Sequence, residues 1–240
     1  MNIIKIGGSI INPDGRYDLA AIRELISLVQ NKEKYIFVVG GGKLCRKIQE
    51  AVRPLLMNAL EDVATANDTL GIAVTQINAR HVLQQFKKKL GKEVHPEILL
   101  DPTWKIQSKA RIFFIGGWKP GHSTDKDMMM LAQTYQAARV IKVSNFEMVK
   151  DVHPLELNGL PETEKLKRLV RAAELPQLTW KQLKDLVGTT WMPGLNTPFD
   201  PRAVELGYTL RKKVALYIGK KEELGKMLQG QKFRGTVVQG

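Results

Sequence analysis

The chain has 240 residues, 43% of them hydrophobic, with 37 Lys and Arg against 24 Asp and Glu, a net charge of +13. That apolar content excludes a disordered chain, and the length fits one large α/β domain or two small ones. A single cysteine, Cys45, excludes an internal disulfide and points to a reducing compartment. No apolar run approaches the ~20 residues of a membrane span, and the N-terminus lacks a signal-peptide pattern, so a soluble cytoplasmic protein is expected.

Asn2 to Ile6 reads as a strand ending in the turn Gly7-Gly8-Ser9. Leu19 to Gln30 has helical apolar spacing, and Tyr35 to Val39 is a continuous β-rich run, as expected of a buried strand. Gly40-Gly41-Gly42 follows, then a helix through Ala51 and another from Asp68 to Phe86. Arg111 to Ile115 is a strand ending in Gly116-Gly117, and Ser123 to Ala138 is a helix capped by Ser123 or Thr124. Arg139 to Val143 is the next strand, followed by an irregular stretch with Pro154, Gly159 and Pro161. Trp180 to Val187, Asp200 to Gly207 and Lys221 to Leu228 read as helices, Val214 to Ile218 and Gly235 to Val238 as strands. This alternation predicts an α/β fold, a mainly parallel sheet with helices on both faces. No linker separates two domains, so residues 1–240 read as one, although the region after Arg139 is compatible with a distinct lobe.

Three strands thus end in glycine turns. In open α/β sheets ligands bind at the carboxyl ends of the strands, where glycine lets backbone amides approach a phosphate. One glycine pair is more often a plain turn; three in corresponding places point to a nucleotide site. Neither the Walker phosphate loop nor the dinucleotide fingerprint is present. Lys5, inside an apolar strand, either meets an anion or faces water on an edge strand. Arg46 is either a phosphate fork or a surface arginine. Ser123-Thr124-Asp125 either receives a phosphate, with Asp125 orienting a lysine, or is an ordinary helix cap. Met128-Met129-Met130 reads as core filling. His81 and His95 have no partner at ligand spacing, so no metal ligands are assigned. The clusters Lys87 to Lys89, Lys165 to Arg171 and Arg211 to Lys213 read as solvated surface, while the overall charge suits polyanionic partners, nucleic acid or nucleotides.

Val38-Val39-Gly40-Gly41-Gly42 with Arg46, then Gly116-Gly117 with Pro120 to Asp125, resembles the amino acid kinase superfamily, and within it the UMP kinases. Asp68 to Ile72 with Asn78-Ala79 is similar to that family's uridine-nucleotide helix, and Pro193 to Pro201 to a late segment of some members. The resemblance implies a three-layer αβα sandwich and phosphorylation of UMP to UDP by ATP with Mg2+, in pyrimidine nucleotide biosynthesis. It also implies a homo-oligomer, commonly a hexamer, with nucleotides rather than nucleic acid or a membrane as the partners. By position, Lys5 would contact the transferring phosphoryl group and Asp125 would organise it. Gly7, Gly8, Ser144, Asn145, Val149 and Asp151 would serve ATP. Gly41, Gly42, Arg46, Asp68, Gly71, Gly117 and Thr124 would serve UMP. The donor segment departs from the pattern: Met148 stands for a glycine, Lys150 for an aromatic and His153 for an aspartate. Two further readings stay open: a related phosphotransferase with another acceptor, and a nucleotide-binding protein or basic nucleic-acid binder with an altered donor site. Against one such acceptor, isopentenyl phosphate, no histidine lies between Lys5 and Leu44.

Overall fold

The computed structural model describes residues 1–29, 33–59, 62–189 and 197–240. Its strands are β1 (Asn2–Ile6), β2 (Tyr35–Val39), β3 (Ile112–Ile115), β4 (Arg139–Val143), β5 (Val149–Lys150), β6 (Glu174–Leu175), β7 (Gln177–Leu178), β8 (Ala215–Gly219) and β9 (Gly235–Val238). The helices are α1 (Gly8–Ile11), α2 (Leu19–Leu28), α3 (Gly42–Ala59), α4 (Val63–Leu90), α5 (Thr124–Tyr135), α6 (Pro154–Leu157), α7 (Glu162–Arg171), α8 (Trp180–Val187), α9 (Pro201–Thr209) and α10 (Leu224–Gln229).

A seven-stranded sheet runs in the order β3-β2-β1-β4-β8-β9-β7, and β8 with β9 is its antiparallel pair. Alternation along each strand sends side chains to opposite faces. Ile3, Val38 and Val140 pack with α5, α8 and α9 residues such as Met128, Trp180 and Val204, whereas Ile4, Phe37 and Ile141 pack with Ile22, Phe86 and Met227 of α2, α4 and α10. Two apolar layers around one sheet give the expected three-layer sandwich. Met128 and Met129 are fully buried, as core filling requires, whereas Met130 is only half-buried.

The expected strands all form, and α8 has the expected span, fixed by a capping box between Thr179 and Gln182. Several helices differ from expectation. Gly7-Gly8-Ser9 leads into the single helical turn α1 rather than a bare turn. The helix expected to end at Ala51 continues through Pro54 to Ala59, and α4 extends beyond both expected ends. The stretch read as irregular contains α6 and α7, because Pro154 sits at a helix start, where its fixed φ favours the helix, and Pro161 caps the next one. Gln30, the expected end of α2, and Pro193 to Asn196 of the late segment lie outside the described residues.

Candidate active site

β1 is a central strand between β2 and β4, so the edge-strand reading of Lys5 is overturned. Lys5 shares a face with Ile3, toward α5, and its side chain is 12% exposed. Its Nζ lies 2.5 Å from Asp125 Oδ1. The second carboxylate oxygen receives Lys142 Nζ at 3.0 Å and the Asp200 amide at 3.3 Å. Lys142 also donates to the Pro198 carbonyl at 2.7 Å. One buried carboxylate therefore holds two lysines at the carboxyl edge of the sheet.

Burial by itself would raise the Asp125 carboxyl, but Lys142 and Lys5 outweigh it and leave its pKa at about 2. Burial and the nearby Lys5 lower Lys142 to about 8, although Asp125 acts to raise it. At neutral pH this is an ionised carboxylate between two cations. It is no proton acceptor; it presents positive charge.

The glycine loops meet around this centre. Gly7 donates to the Val143 carbonyl at 3.3 Å, which joins the ends of β1 and β4. A Cβ on Gly8 would stand 2.1 Å from the Gly42 nitrogen, so only glycine permits the first two loops to touch. Gly42 itself has φ +66° and opens α3, whose first amides have no intrahelical acceptors. Gly41 and Cys45 adjoin there, and Arg46 is exposed on α3 without an ion pair among the described residues. Thr124 is the first residue of α5, after the Ser123 cap that accepts from the Lys126 amide.

Other expected residues are engaged by protein groups. Asp68 Oδ2 accepts from the Gly121 amide at 2.9 Å. Gly117 donates to Thr75 Oγ1 at 2.6 Å. Gly71 faces Gln49 of α3, where a Cβ would come within 2.9 Å of the amide nitrogen. Its missing side chain thus serves helix–helix approach.

On the other side of the lysines, Ser144 is buried and Asn145 exposed just beyond β4. Val149 is buried in the core and its amide donates to Thr236 at 2.9 Å, while Asp151 is exposed. The three departures from the donor pattern each have a place. His153 accepts from the Leu155 amide at 3.2 Å and so caps α6, a role an aspartate also fills. Lys150 pairs with Glu174 across β5 and β6 at 3.1 Å. Met148 lines a concavity of about 470 Å³ with Phe233, Arg234 and Lys226. Gly235, also in its wall, pairs with Gly219 at the end of β8, which sets this concavity at the same edge of the sheet as the glycine turns.

Lys142 escaped sequence reasoning, although its signal matched that of Lys5: a lysine inside a buried strand. Asp127 and His122 escaped as well. Asp127 is fully buried, and burial raises its carboxyl to about 7 despite a hydrogen bond from the Trp118 amide at 3.2 Å. His122 Nδ1 lies 3.5 Å from Asp127 Oδ1. Burial and the cations of Lys126, Lys119 and Arg202 lower the imidazole to about 4.

Residues 1–214 match the family model described as the amino acid kinase family. The chain belongs to the amino acid kinase family. Similar members include the uridylate kinase of Pyrococcus abyssi, 30% identical over 99% of this chain and 98% of its own length. The uridylate kinase of Thermococcus kodakarensis is 28% identical over 99% and 98% of the two chains. Among solved structures, uridylate kinase from Archaeoglobus fulgidus superposes with a TM-score of 0.76 at 24% identity, covering 99% of each chain. UMP kinase from Bacillus anthracis gives 0.73 at 14% identity, over 99% of this chain and 95% of its own. These superpositions bear out the amino acid kinase fold.

The fit of this site to a magnesium ion follows from its donors. Both oxygens of Asp125 are taken by lysines, and no group of three acidic, histidine or cysteine side chains among the described residues has ligand geometry. Asp125 is thus committed to the two lysines, and a magnesium ion ordinarily relies on one or two carboxylates together with the nucleotide's own phosphates.

Proposed function

We propose that this amino acid kinase phosphorylates UMP to UDP at the expense of ATP, in pyrimidine nucleotide biosynthesis. The observation that carries the reading is the Lys5–Asp125–Lys142 arrangement, set between the Gly41–Gly42 loop and the donor-side concavity. The uridylate kinases that align along nearly the whole chain supply the acceptor.

In this reading an oxygen of the UMP phosphate attacks the γ-phosphorus of ATP. The bond from that phosphorus to the β,γ-bridging oxygen breaks, and ADP leaves with the electron pair. No side chain needs to become covalently attached. The protein's contribution is positioning and charge neutralisation, as is general for phosphoryl transfer. Lys5 and Lys142 would meet the transferring oxygens, and Asp125 would hold both lysines at fixed spacing. The amides of Gly41 and Gly42, Arg46 and Thr124 would hold the UMP phosphate, with Asp68 and the adjacent Gly71 and Gly117 on the nucleoside side. Gly7 and Gly8 would line the ATP phosphates. Ser144, Asn145, Val149 and Asp151 would border the adenosine, which the Met148–Phe233 concavity would accommodate. Magnesium would arrive as MgATP, coordinated by the nucleotide's phosphates and therefore part of the substrate.

We also read residues 1–240 as one catalytic domain, supported by a single sheet whose strands come from both ends of the chain. A homo-oligomer, hexameric in the fullest form of the reading, and a cytoplasmic location complete it. Among the described residues no helix is long and apolar enough to cross a membrane.

The test is an acceptor panel with purified protein, MgATP and UMP, CMP, carbamate or isopentenyl phosphate. UDP formation as the dominant reaction is expected. Turnover of another acceptor with none of UMP would overturn the assignment.

A further inference from the structure

α4 carries a ridge of polar side chains that grips both glycine loops on the acceptor side. Thr75 Oγ1 accepts from the Gly117 amide at 2.6 Å and donates to the Ile72 carbonyl at 2.7 Å. Gln76 donates to the Gly117 carbonyl at 3.2 Å. One turn on, Asn78 Nδ2 donates to the carbonyls of Gly40 at 2.9 Å and Gly41 at 3.1 Å. Its Oδ1 accepts from the Tyr17 hydroxyl at 2.9 Å, and the Tyr17 ring stacks on His81 of α4 with centroids 3.7 Å apart. Thr75 is 7% exposed and Asn78 fully buried. Both amide hydrogens of Asn78 and its oxygen are thereby used, which fixes the orientation of the side chain.

The consequence follows from peptide geometry. In a trans peptide the carbonyl of one residue and the amide hydrogen of the next point in opposite directions. Asn78 draws the Gly40 and Gly41 carbonyls toward α4, so the N–H groups of Gly41 and Gly42 are turned away from it. Thr75 anchors the second loop to the same helix three residues earlier. We infer that Asn78 and Thr75 are positioning residues: one turn apart on α4, they set the spacing of the two acceptor loops and turn the Gly41 and Gly42 amides outward to meet an acceptor phosphate. Tyr17 orients Asn78. None of these side chains needs to touch the substrate. The inference rests on reading these loops as the acceptor side.

The experiment compares Thr75→Val, which removes the hydroxyl at nearly constant shape, with Thr75→Ser, which keeps it, alongside Asn78→Asp and Tyr17→Phe. KM for UMP, KM for ATP and backbone hydrogen exchange of residues 40–44 and 116–118 are measured for each. Thr75→Val and Asn78→Asp should raise the UMP KM by about tenfold or more while the ATP KM stays within about twofold, and Thr75→Ser should restore it. Exchange in both segments should quicken without ligand in Thr75→Val, and in residues 40–44 in Tyr17→Phe. An unchanged UMP KM, or an equal rise for both substrates, overturns the inference. Should wild-type protein make no UDP, the functional reading fails and hydrogen exchange alone decides: unchanged exchange in Thr75→Val overturns the positioning role and faster exchange upholds it. Should Asn78→Asp fail to fold, Tyr17→Phe reads the same clamp from its outer end.

Discussion

Lys5 and Lys142 are register partners on the neighbouring parallel strands β1 and β4, and both side chains end on the single carboxylate of Asp125. The pairing follows from sheet geometry. Residues opposite each other on adjacent strands project to the same face, so a carboxylate at the start of α5 above that face meets both. Asp125→Asn would leave two buried ammonium groups without their counter-charge. Breaking such an arrangement costs roughly 3–5 kcal/mol. Denaturant unfolding should show a loss of that order, and initial-rate assays a fall in turnover of about a hundredfold or more. Wild-type stability and rate in Asp125→Asn would contradict the role of Asp125 in holding the two lysines.

Lys142 sets an alkaline limit. Its folded pKa is about 8, below the ordinary 10.5, so it discharges above about pH 8 and the transfer rate should fall there. Between these values the unfolded chain binds the extra proton, so this group makes folding more favourable as pH rises. The lost rate is therefore not lost fold. Rate and thermal melting recorded together from pH 7 to 10 separate the two. Lys142→Arg, whose cation does not discharge in this range, should move the limit upward.

Asp127 contributes a pH dependence of opposite sign to Asp125. Its folded pKa is raised to about 7 from 3.8, so the folded state holds a proton that the unfolded chain releases. Stability is fully favoured below about pH 4 and declines as pH climbs through about 7. His122, lowered to about 4 from 6.5, gives stability that is lost as pH falls through that window. Asp127→Asn removes only the first effect. Its melting temperature relative to wild type should rise between pH 5 and 8.

Gly8 is the contact between two loops. Gly8→Ala would place a methyl 2.1 Å from the Gly42 nitrogen, a backbone atom that cannot rotate away. Both loops must part, so KM values for ATP and UMP should rise together, by about tenfold or more each. That pattern is distinct from the acceptor-only effect expected of Thr75→Val. Separate titrations of the two substrates distinguish them.

The strands and the glycine turns were legible because apolar runs and glycine placement are local signals. Lys5, Asp125 and the loop glycines could be named from those signals and from a family resemblance. Lys142 obeyed the same rule as Lys5, yet its meaning lies in the register between strands far apart in sequence. Thr75 sits on a helix whose pattern looks ordinary; its role appears only once Gly117 folds against it. Asp127 carries no local signal of its own; its burial appears only once α5 packs on the sheet. Pro154 and Pro161 obscured α6 and α7 because proline serves both helix starts and irregular chain.

The most direct test follows label from γ-phosphate-labelled ATP incubated with UMP and magnesium, for wild type and Lys142→Met. Label should appear in UDP with wild type and fall by about a hundredfold or more with Lys142→Met, while the variant stays folded. Label that never reaches UDP, or reaches it equally well without Lys142, would contradict phosphoryl transfer to UMP assisted by Lys142.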